Sequence, residues 1–492
     1  MSRIAAQLAI DDTNVHRSFT TETEQRILES LKKSNERFTE NYPGDPMERQ
    51  PVHTFYGGAH LFKADTVKKL GQLALHSLEA YGSNFVEFAK VLNLSHSGKL
   101  PSSKKQIDAL KKKLNKEASL LDSKNVHAWI FNAVYDRVVE KLASEPIEDY
   151  RIDFEDGFGH RTNAEEDHEA MRTAGETVRA MEQDMLPPFV GIRIKPFSEE
   201  SKNRALRTLD IYLTTLCEKS NNRLPKNFVI TLPKVTDAEH VNALAQCLSE
   251  FERLHHLPWG SLKLEIMIES PQAIIGPDGG TLLPSLVRAG KDRCIAVHFG
   301  PYDYTTGLNI SSRYQTLDHP ACDFARRMMQ AALAGTGTRL SDGANHEIPV
   351  GPHRKSGRPL TAKQNKENRE AVHRVWRHYY SQIRHTLEQG FYQSWDLHPG
   401  HLPIRYAAVY MFFLEGLRSA SERMKSSLEH ANKASLSGQF FDDAASGQGL
   451  LNYFLRGIFC GAIHPDDIGR IGLTQEELDS RSFSGIISGR NK

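Results

Sequence analysis

Two segments, LKLEIMIES (residues 262–270) and CIAVHFGPYDYTTG (residues 294–307), decide the fold of this chain. Each contains an apolar run typical of a buried strand, and a helix-length segment separates them, so we predict one βαβ unit. A right-handed crossover places such strands parallel and often adjacent, about 4.8 Å apart. The first strand ends on Glu269, and Asp303 follows the second strand. Carboxylates at equivalent strand ends are close enough to share one ion.

These two carboxylates are the predicted metal ligands. Two carboxylates, completed by waters and substrate oxygens, are the usual way in which a protein holds Mg²⁺. The alternative is that Glu269 and Asp303 cap helices or pair with nearby Lys and Arg side chains. The motif by itself favours neither interpretation.

Six further segments have strand character, which brings the total to eight. They are VHTFYGGAHL (52–61), YRIDFEDG (150–157), FVGIRIKPF (189–197), FVITLPKV (228–235), TRLSDG (338–343) and FYQSWDLHP (391–399). Helical segments lie between most of them, as the periodicity of the apolar residues indicates. The predicted helices include 64–92, 125–143, 164–185, 202–220 and 237–254. Eight apolar strands that alternate with helices predict a closed (β/α)₈ TIM barrel rather than an open doubly wound sheet.

The predicted barrel occupies residues 51–415, with additions at both ends and one insertion. Residues 1–50 are expected to form a helical N-terminal extension. Residues 416–492 are expected to form a helical C-terminal region, in which Thr474 caps the helix that begins at LTQEEL. A Lys-rich stretch near 95–145 is interpreted as a helical insertion whose charges face solvent, in preference to a phosphate-binding segment.

The composition excludes several classes of protein. Lys and Arg (62) balance Asp and Glu (61), so no nucleic-acid partner is expected. No apolar run is long enough to span a bilayer, and acidic residues occur too early for a signal peptide, so we expect a cytoplasmic protein without membrane contact. The five scattered cysteines form no Cys-x-x-Cys pair, which argues against a disulfide scaffold or a zinc finger.

Polar residues follow nearly every predicted strand, at the ends where (β/α)₈ barrels carry their chemistry. Unpaired charges that face inward are costly, so they should pair with one another, with a metal or with an anionic substrate. We therefore expect a small carboxylate substrate. The polar residues are His60, Glu155, Asp156, His160, Arg161, Arg193, Lys195, Lys234, Glu269, Asp303, Asp342, Asn345, His346, Asp396 and His398.

Three of these residues are the predicted catalytic ones. Arg193 presents a planar fork suited to a carboxylate, and a structural ion pair with Asp156 or Glu269 is its alternative role. Asp156 could act as an acid or base, or cap a helix in DGFGHR. His398 could position or protonate the substrate, or be held by hydrogen bonds in a strand-end loop. Further substrate contacts are expected from Lys234, Gly300 and Pro301.

The order of the motifs resembles that of a known family. The motifs are DFEDG (153–157), GIRIKPF (191–197), TLPKV (231–235), IMIESPQAI (266–274), GPYDYTTG (300–307) and DLHPGH (396–401). Together they resemble the citrate lyase β-subunit and HpcH/HpaI aldolase family, and more distantly the malate synthase barrel. The resemblance implies a (β/α)₈ barrel in which Glu269 and Asp303 hold Mg²⁺ or Mn²⁺, and Arg193 binds the carboxylate or carbonyl oxygens of the substrate. It also implies that a carbon–carbon bond is made or broken through an enolate.

Three motifs depart from the family pattern. HTFYGG (53–58) stands in place of Phe-Val-Pro-Gly on the first strand, RIK (193–195) in place of Arg-Ile-Asn, and HPGH (398–401) in place of His-Pro-x-Gln. These differences indicate a divergent branch with a substrate of its own. The first of them bears on whether coenzyme A binds.

The sequence thus predicts a Mg²⁺-dependent carbon–carbon lyase that acts on an oxo- or hydroxy-acid or its acyl thioester. A Claisen-type synthase or thioesterase that uses a coenzyme A thioester is the alternative among enzymes. A non-catalytic binding or assembly barrel is the third hypothesis, although an inactive site has no reason to keep so many costly charges. The helical C-terminal region also predicts a homo-oligomer.

Overall fold

The computed structural model shows eight parallel strands that curve into one barrel. It describes residues 18–44, 46, 48–117, 119–120, 123–355, 358–434, 443–464 and 468–490. The strands are β1 (His53–Gly58), β2 (Asp149–Asp153), β3 (Phe189–Arg193), β4 (Phe228–Leu232), β5 (Lys263–Ile268), β6 (Cys294–Phe299), β7 (Arg339–Ser341) and β8 (Ser394–Asp396). The prediction of a (β/α)₈ barrel with these eight strands is confirmed, although most strands are shorter than predicted.

All strand pairs are parallel. Consecutive strands from β1 to β7 are paired with one another, and β8 is paired with β1. Two backbone hydrogen bonds close the remaining gap between the segments around β7 and β8. The N–H of Asp342 donates to the carbonyl of Gln393 at 2.8 Å, and the N–H of Trp395 to the carbonyl of Gly343 at 3.3 Å. Closure brings the carboxyl ends of all eight strands to one rim, which is where a barrel of this type places its site.

Helices precede the first strand, lie between successive strands in the sequence and continue the chain after β8. They are α1 (Thr21–Asn41), α2 (Thr66–Tyr81), α3 (Phe85–Val91), α4 (Lys104–Leu114), α5 (Val126–Ser144), α6 (Asn163–Glu182), α7 (Lys202–Ser220), α8 (Ala238–Leu254), α9 (Pro271–Ile274), α10 (Leu283–Ala289), α11 (Pro301–Gly307), α12 (Pro320–Leu333), α13 (Ala362–Glu388), α14 (Leu402–Ala434), α15 (Asp443–Phe459), α16 (Ile468–Ile471), α17 (Gln475–Ser480) and α18 (Phe483–Arg490). Among the described residues, no helix combines the length and apolar composition that a membrane crossing requires.

The chain forms two compact units. The smaller comprises residues 1–46 and 334–337, and its described part holds α1, which Thr20 caps by accepting the N–H of Thr23. Within this unit the N–H of Gly44 donates to the carbonyl of Gly335 at 2.8 Å. The larger unit holds the barrel and the other helices. Residues 1–17 of the predicted N-terminal extension lie outside the described residues, and the division of the chain near residues 50 and 415 stays a prediction.

Three local predictions have clear outcomes. The single helix predicted over 64–92 is wrong, because α2 ends at Tyr81 and Asn84 starts α3 by accepting the N–H groups of Val86 and Glu87. The cap at Thr474 is confirmed, since Thr474 and Glu477 form a capping box at α17. All five cysteines are free, as their spacing predicts.

Alternation along the strands sends polar side chains into the barrel and apolar ones towards the helices. On β2, Ile152 belongs to the apolar core, whereas Arg151 reaches across the interior to Glu265 on β5 at 2.8 Å. Asp149 and Asp153 flank Arg151 and are also buried. The interior of this barrel therefore carries charges where bulky Val, Ile and Leu side chains are usual.

Candidate active site

A cavity of about 710 Å³ opens at the carboxyl ends of the strands. Charged residues line part of it, and aromatic and aliphatic residues line the rest. A cavity of this size suits a small-molecule ligand. The lining residues that were predicted from sequence are Asp156, Arg193, Glu269, Gly300, Pro301, Asp303 and His398. Lys234, the remaining predicted site residue, contacts their carboxylates.

Arg193 is held by Asp153, the last residue of the neighbouring strand. The Arg193 Nε and Nη2 atoms donate to the two Asp153 carboxylate oxygens at 2.7 Å and 2.5 Å. Asp153 also accepts the backbone N–H groups of Glu155 and Gly157, at 2.9 Å and 2.7 Å. The DFEDG motif thus builds a turn around one carboxylate, which in turn orients the guanidinium. Sequence reasoning missed Asp153, although it ends β2 in direct register with Arg193 at the end of β3.

The third guanidinium nitrogen of Arg193 faces the acidic side of the cavity. Its Nη1 lies 3.0 Å from Glu155 Oε2 and 3.8 Å from Asp156 Oδ2. Burial alone would lower the pKa of Arg193, but Asp153 and Glu155 raise it well above its usual value, so the cation is permanent. The pairing with Asp156 considered from the sequence is present but secondary, because Asp153 and Glu155 lie closer.

Lys234 stands at the centre of four carboxylates, which we call the acidic cluster: Glu155, Asp156, Glu269 and Asp303. Its Nζ makes a short contact with Glu155 and lies 3.3 Å from Asp156 and 3.6 Å from Asp303. Its backbone N–H donates to Glu269 Oε2 at 2.7 Å. To do so, Lys234 adopts the left-handed conformation, with φ of 49°. Such strained backbone is concentrated at functional sites.

Negative charge exceeds positive charge at this end of the barrel. Burial raises the pKa of Glu269 to about 8, and the Glu155 and Asp303 carboxylates add to the rise against Lys234 and Arg193. Burial also raises the pKa of Glu155. Five carboxyl groups (Asp153, Glu155, Asp156, Glu269 and Asp303) surround two cations (Arg193 and Lys234). Without a further cation, Glu269 keeps its proton at neutral pH.

The acidic cluster fits the Mg²⁺ ion that the family resemblance implies. Its donors are hard carboxylate oxygens, and Glu155 Oε2 is buried, with Arg193 Nη1 at 3.0 Å but no hydrogen bond. No group of three or more His, Cys, Asp or Glu among the described residues is arranged to hold a metal by side chains alone. An ion at this place would be held by Glu269 and Asp303 and would need waters and substrate to complete its coordination. The contacts of the alternative are also present, since both carboxylates approach Lys234.

Gly300 makes room for the Glu269 carboxylate. A Cβ atom at position 300 would lie 2.4 Å from Glu269 Cγ and 2.5 Å from its Oε1. Such distances are not tolerated, so any side chain at Gly300 must displace Glu269. Pro301 follows at the start of α11, whose first turn carries Asp303. The GPYD sequence thus carries both the glycine that accommodates Glu269 and the Asp303 carboxylate.

His398 lines the cavity as a neutral ring. Its Nδ1 accepts the N–H of Gly400 at 3.1 Å, which leaves the proton on Nε2. Burial and the nearby His401 lower the pKa of His398 to about 4. The hydrogen bond in a strand-end loop is thus confirmed, and His398 is suited to donate a hydrogen bond rather than to shuttle protons at neutral pH.

Several of the other strand-end residues do not join the site. Lys195 pairs with Glu166 at 2.7 Å, Asp342 with Arg326 at 3.0 Å, and Asp396 with Arg405 at 3.1 Å. These partners lie on the helices outside the barrel, which the sequence pattern does not reveal. The helix cap considered for Asp156 is also wrong, because α6 begins later and Thr162 caps it.

Beneath the cavity lies a second group of buried charges, which we call the core network: Asp149, Arg151, Glu265 and His298. Arg151 donates to both Glu265 oxygens at 2.8 Å and to Asp149 at 2.5 Å. His298 Nε2 lies 3.2 Å from Glu265. None of these residues was a sequence candidate, although the alternation of polar residues along β2 was a usable signal.

Two aromatic residues connect the core network to the cavity. The indole N–H of Trp395 donates to His298 Nδ1 at 3.0 Å, and the hydroxyl of Tyr56 lies 3.3 Å from the same atom. Both side chains line the cavity. The Tyr56 ring also lies 4.8 Å from the Arg193 guanidinium. The floor of the cavity is therefore rigid, because its aromatic side chains are hydrogen-bonded from below.

A scan against protein-family models matches residues 31–486 to the family described as "Domain of unknown function (DUF6986)". Comparison with the curated proteins gives no match.

Solved structures give three representative similarities. A citrate lyase from Burkholderia xenovorans is 16% identical, with 71% of this chain and 93% of that chain covered and a TM-score of 0.46. A Haloferax volcanii malate synthase complex with pyruvate and acetyl-CoA is 14% identical, with coverage of 91% and 99% and a TM-score of 0.41. The citrate lyase β-subunit of M. tuberculosis, complexed with oxaloacetate and magnesium, is 15% identical, with coverage of 56% and 92% and a TM-score of 0.33. These are the two groups of proteins that the ordered motifs resemble.

Proposed function

We propose that this chain, which belongs to the DUF6986 family, is a Mg²⁺-dependent carbon–carbon lyase. Its proposed substrate is an oxo- or hydroxy-acid. The observation that carries the proposal is the excess of carboxylates over cations around Lys234, next to a fixed guanidinium in a cavity. An inward-facing cluster with unbalanced charge is costly unless a cation occupies it during function.

Glu269 and Asp303 are the proposed metal ligands, and Mn²⁺ is an acceptable substitute. A bound divalent ion supplies electrostatic stabilisation of the negative charge that develops on a substrate oxygen. Gly300 keeps Glu269 in place, and the Lys234 N–H orients one of its oxygens.

Arg193 binds the substrate through the Nη1 side of its guanidinium. The other two nitrogens are occupied by Asp153, so the fork has one orientation and loses little entropy on binding. The cation attracts the substrate carboxylate or the developing oxyanion. The neutral His398 ring, which also lines the cavity, is the proposed donor of a further hydrogen bond to the substrate through Nε2.

Asp156 is the proposed base. Burial would raise its pKa, but Arg193 and Lys234 hold the pKa below its usual value, so the carboxylate is ionised at neutral pH. Its side chain is 63% exposed and lines the cavity, which lets it exchange protons with solvent. Lys234 stays cationic beside it, because Glu155 raises the lysine pKa against the effect of burial.

Hydrogen exchange at the carbon next to the substrate carbonyl tests this proposal. Pyruvate is incubated with the protein and Mg²⁺ in D₂O, and loss of its methyl proton signal is followed by NMR. We expect exchange that needs both protein and metal, because an enolate-forming site must remove this proton. Glu269→Gln and Asp303→Asn should each slow the exchange by about 100-fold or more.

Glu370→Gln is the matched control, since this glutamate is 64% exposed on α13 and outside the cavity lining. Calorimetric titration of Mg²⁺ and Mn²⁺ into the same proteins separates loss of metal from loss of chemistry. A wild-type protein that binds neither ion, with or without pyruvate, would overturn the proposal. Exchange of the methyl protons of acetyl-CoA, but not of pyruvate, would replace the lyase with the Claisen-type alternative.

A further inference from the structure

We infer, on the basis of the proposed function, that the substrate is an oxo acid with a bulky aromatic or branched apolar substituent and without a coenzyme A group. The ionic part of the site occupies one side of the cavity. The remaining lining, which we call the apolar wall, consists chiefly of Phe55, Tyr56, Leu61, Tyr150, Trp395 and Leu397.

The apolar wall is preorganised. The Phe55 and Tyr150 rings stack with an interplanar angle of 11° and centroids 5.9 Å apart. Tyr56 and Trp395 form a second pair with centroids 5.0 Å apart. Because Tyr56 also lies against Arg193, the wall begins where the substrate carboxylate is proposed to bind. A substrate held at Arg193 therefore adjoins the apolar wall, in which the aromatic side chains are buried and Leu61 and Leu397 expose more surface.

The rim of the wall exposes apolar surface. Leu61 is 64% exposed and Leu397 is 41% exposed, and both line the cavity. Exposed leucines that border a pocket mark surface that a ligand covers. The volume of about 710 Å³ is in the middle of the range for drug-sized ligands, and a three-carbon oxo acid would leave most of it empty.

Coenzyme A would need cations for its phosphates, and the cavity offers few. Among the described residues of the lining, the Lys and Arg side chains are Arg193 and Lys69. Arg193 is already the proposed partner of the substrate carboxylate, and Lys69 lies 2.7 Å from Asp65. Phosphates bind where several such donors converge, which these two do not. The departure at HTFYGG on the first strand agrees with this conclusion.

A matched pair of acids tests the inference: pyruvate and 2-oxo-4-phenylbutanoate, each titrated calorimetrically in the presence of Mg²⁺, with acetyl-CoA as a third ligand. We expect the phenyl compound to bind at least tenfold more tightly than pyruvate. Leu61→Ser and Leu397→Ser should each weaken binding of the phenyl compound severalfold more than they weaken binding of pyruvate. Both positions are exposed at the rim, so the fold does not depend on them.

Leu73→Ser on α2 is the control, because Leu73 is 55% exposed and outside the lining. Equal affinity for the two acids, with metal-dependent exchange of pyruvate intact, would overturn the inference and leave the proposed function standing. Tighter binding of acetyl-CoA than of either acid would also overturn it. If neither acid binds and pyruvate does not exchange, the proposed function itself is wrong.

Discussion

The barrel contains two groups of charges, and they differ in how completely their members are paired. In the core network every nitrogen of Arg151 has a partner, from Thr231 at 3.0 Å to Glu265 and Asp149. Burial would raise the pKa of Glu265, but Arg151 and His298 hold it well below its usual value. Asp149, whose pKa burial raises, accepts the Thr54 hydroxyl as well.

The acidic cluster lies one layer above and is incompletely paired. Asp156 and Asp303 are 63% and 48% exposed, whereas Asp149 and Glu265 of the core network are buried. In the acidic cluster, burial and the neighbouring carboxylates outweigh the nearby cations, so the pKa of Glu269 is raised. The comparison teaches that buried charge alone does not mark a site. A functional site is marked by buried charge that neighbouring residues do not balance, because such charge does not stabilise the folded state.

The largest expected effect comes from breaking the core network with Arg151→Met. The substitution leaves Asp149 and Glu265 buried without their cation, so we expect a loss of about 3–5 kcal/mol in the free energy of unfolding. Urea denaturation followed by circular dichroism measures it. Arg207→Met is the control, since that arginine is 62% exposed and pairs with Asp167 at the surface. Equal unfolding midpoints for the two variants would contradict the structural role of the core network.

Gly300→Ala acts on the acidic cluster without removing a charge. The added methyl group must displace Glu269, so we expect Mg²⁺ affinity to fall at least about tenfold while the fold is kept. Calorimetry gives the affinity, and near-ultraviolet circular dichroism checks the packing. Gly98→Ala is matched, because a Cβ there has no atom within 4 Å. Unchanged affinity in Gly300→Ala would rule out Glu269 as a ligand.

The raised pKa of Glu269 makes metal binding depend on pH. Mg²⁺ requires the carboxylate, so below the pKa of about 8 each bound ion displaces a proton. Affinity should rise about tenfold per pH unit from pH 6 to pH 8 and level off above it. Calorimetry in buffers of different ionisation enthalpy counts the proton released. A pH-independent affinity would mean that Glu269 is ionised throughout.

The smallest expected effect is on the melting temperature of the metal-free protein, and it distinguishes the acidic cluster from the core network. Because the pKa of Glu269 rises from 4.5 to about 8 on folding, its contribution is fully present below pH 4.5 and lost as the pH approaches 8. The Glu269→Gln variant does not lose this stability, because glutamine does not ionise. Its melting temperature should exceed that of the wild type by about 2 °C or more at pH 8 and equal it near pH 5. A lower melting temperature at pH 8 would show that the ionised carboxylate stabilises the fold.

Sequence reasoning succeeded where the signal is local. The strands that carry Arg193 and Glu269 are short apolar runs bounded by polar residues. Strands of a parallel sheet are buried on both faces, so a continuous apolar run is enough to predict them. Positions at the carboxyl ends of those strands then follow from the barrel itself. For this reason the sequence predicts Asp156, Arg193, Glu269, Asp303 and His398 at one rim, and these residues line one cavity.

The residues that sequence reasoning missed owe their roles to partners far along the chain. Asp153 holds an arginine forty residues away, and Trp395 donates to His298 across 97 residues. Such pairs depend on the register between strands and on which side chains turn inward. The same limit explains Asp342 and Asp396, which resemble the site residues in sequence but pair with arginines on helices.

Short-range apolar periodicity is enough to predict the eight-stranded barrel and the rim at which polar side chains collect. The balance of charges, in contrast, follows from contacts between residues that are far apart in the chain. Arg193 is committed to Asp153 on two nitrogens, whereas Lys234 is shared among carboxylates that outnumber it. Charge balance is a property of distances in three dimensions, since the Coulomb energy depends on separation in space and on burial rather than on position in the chain.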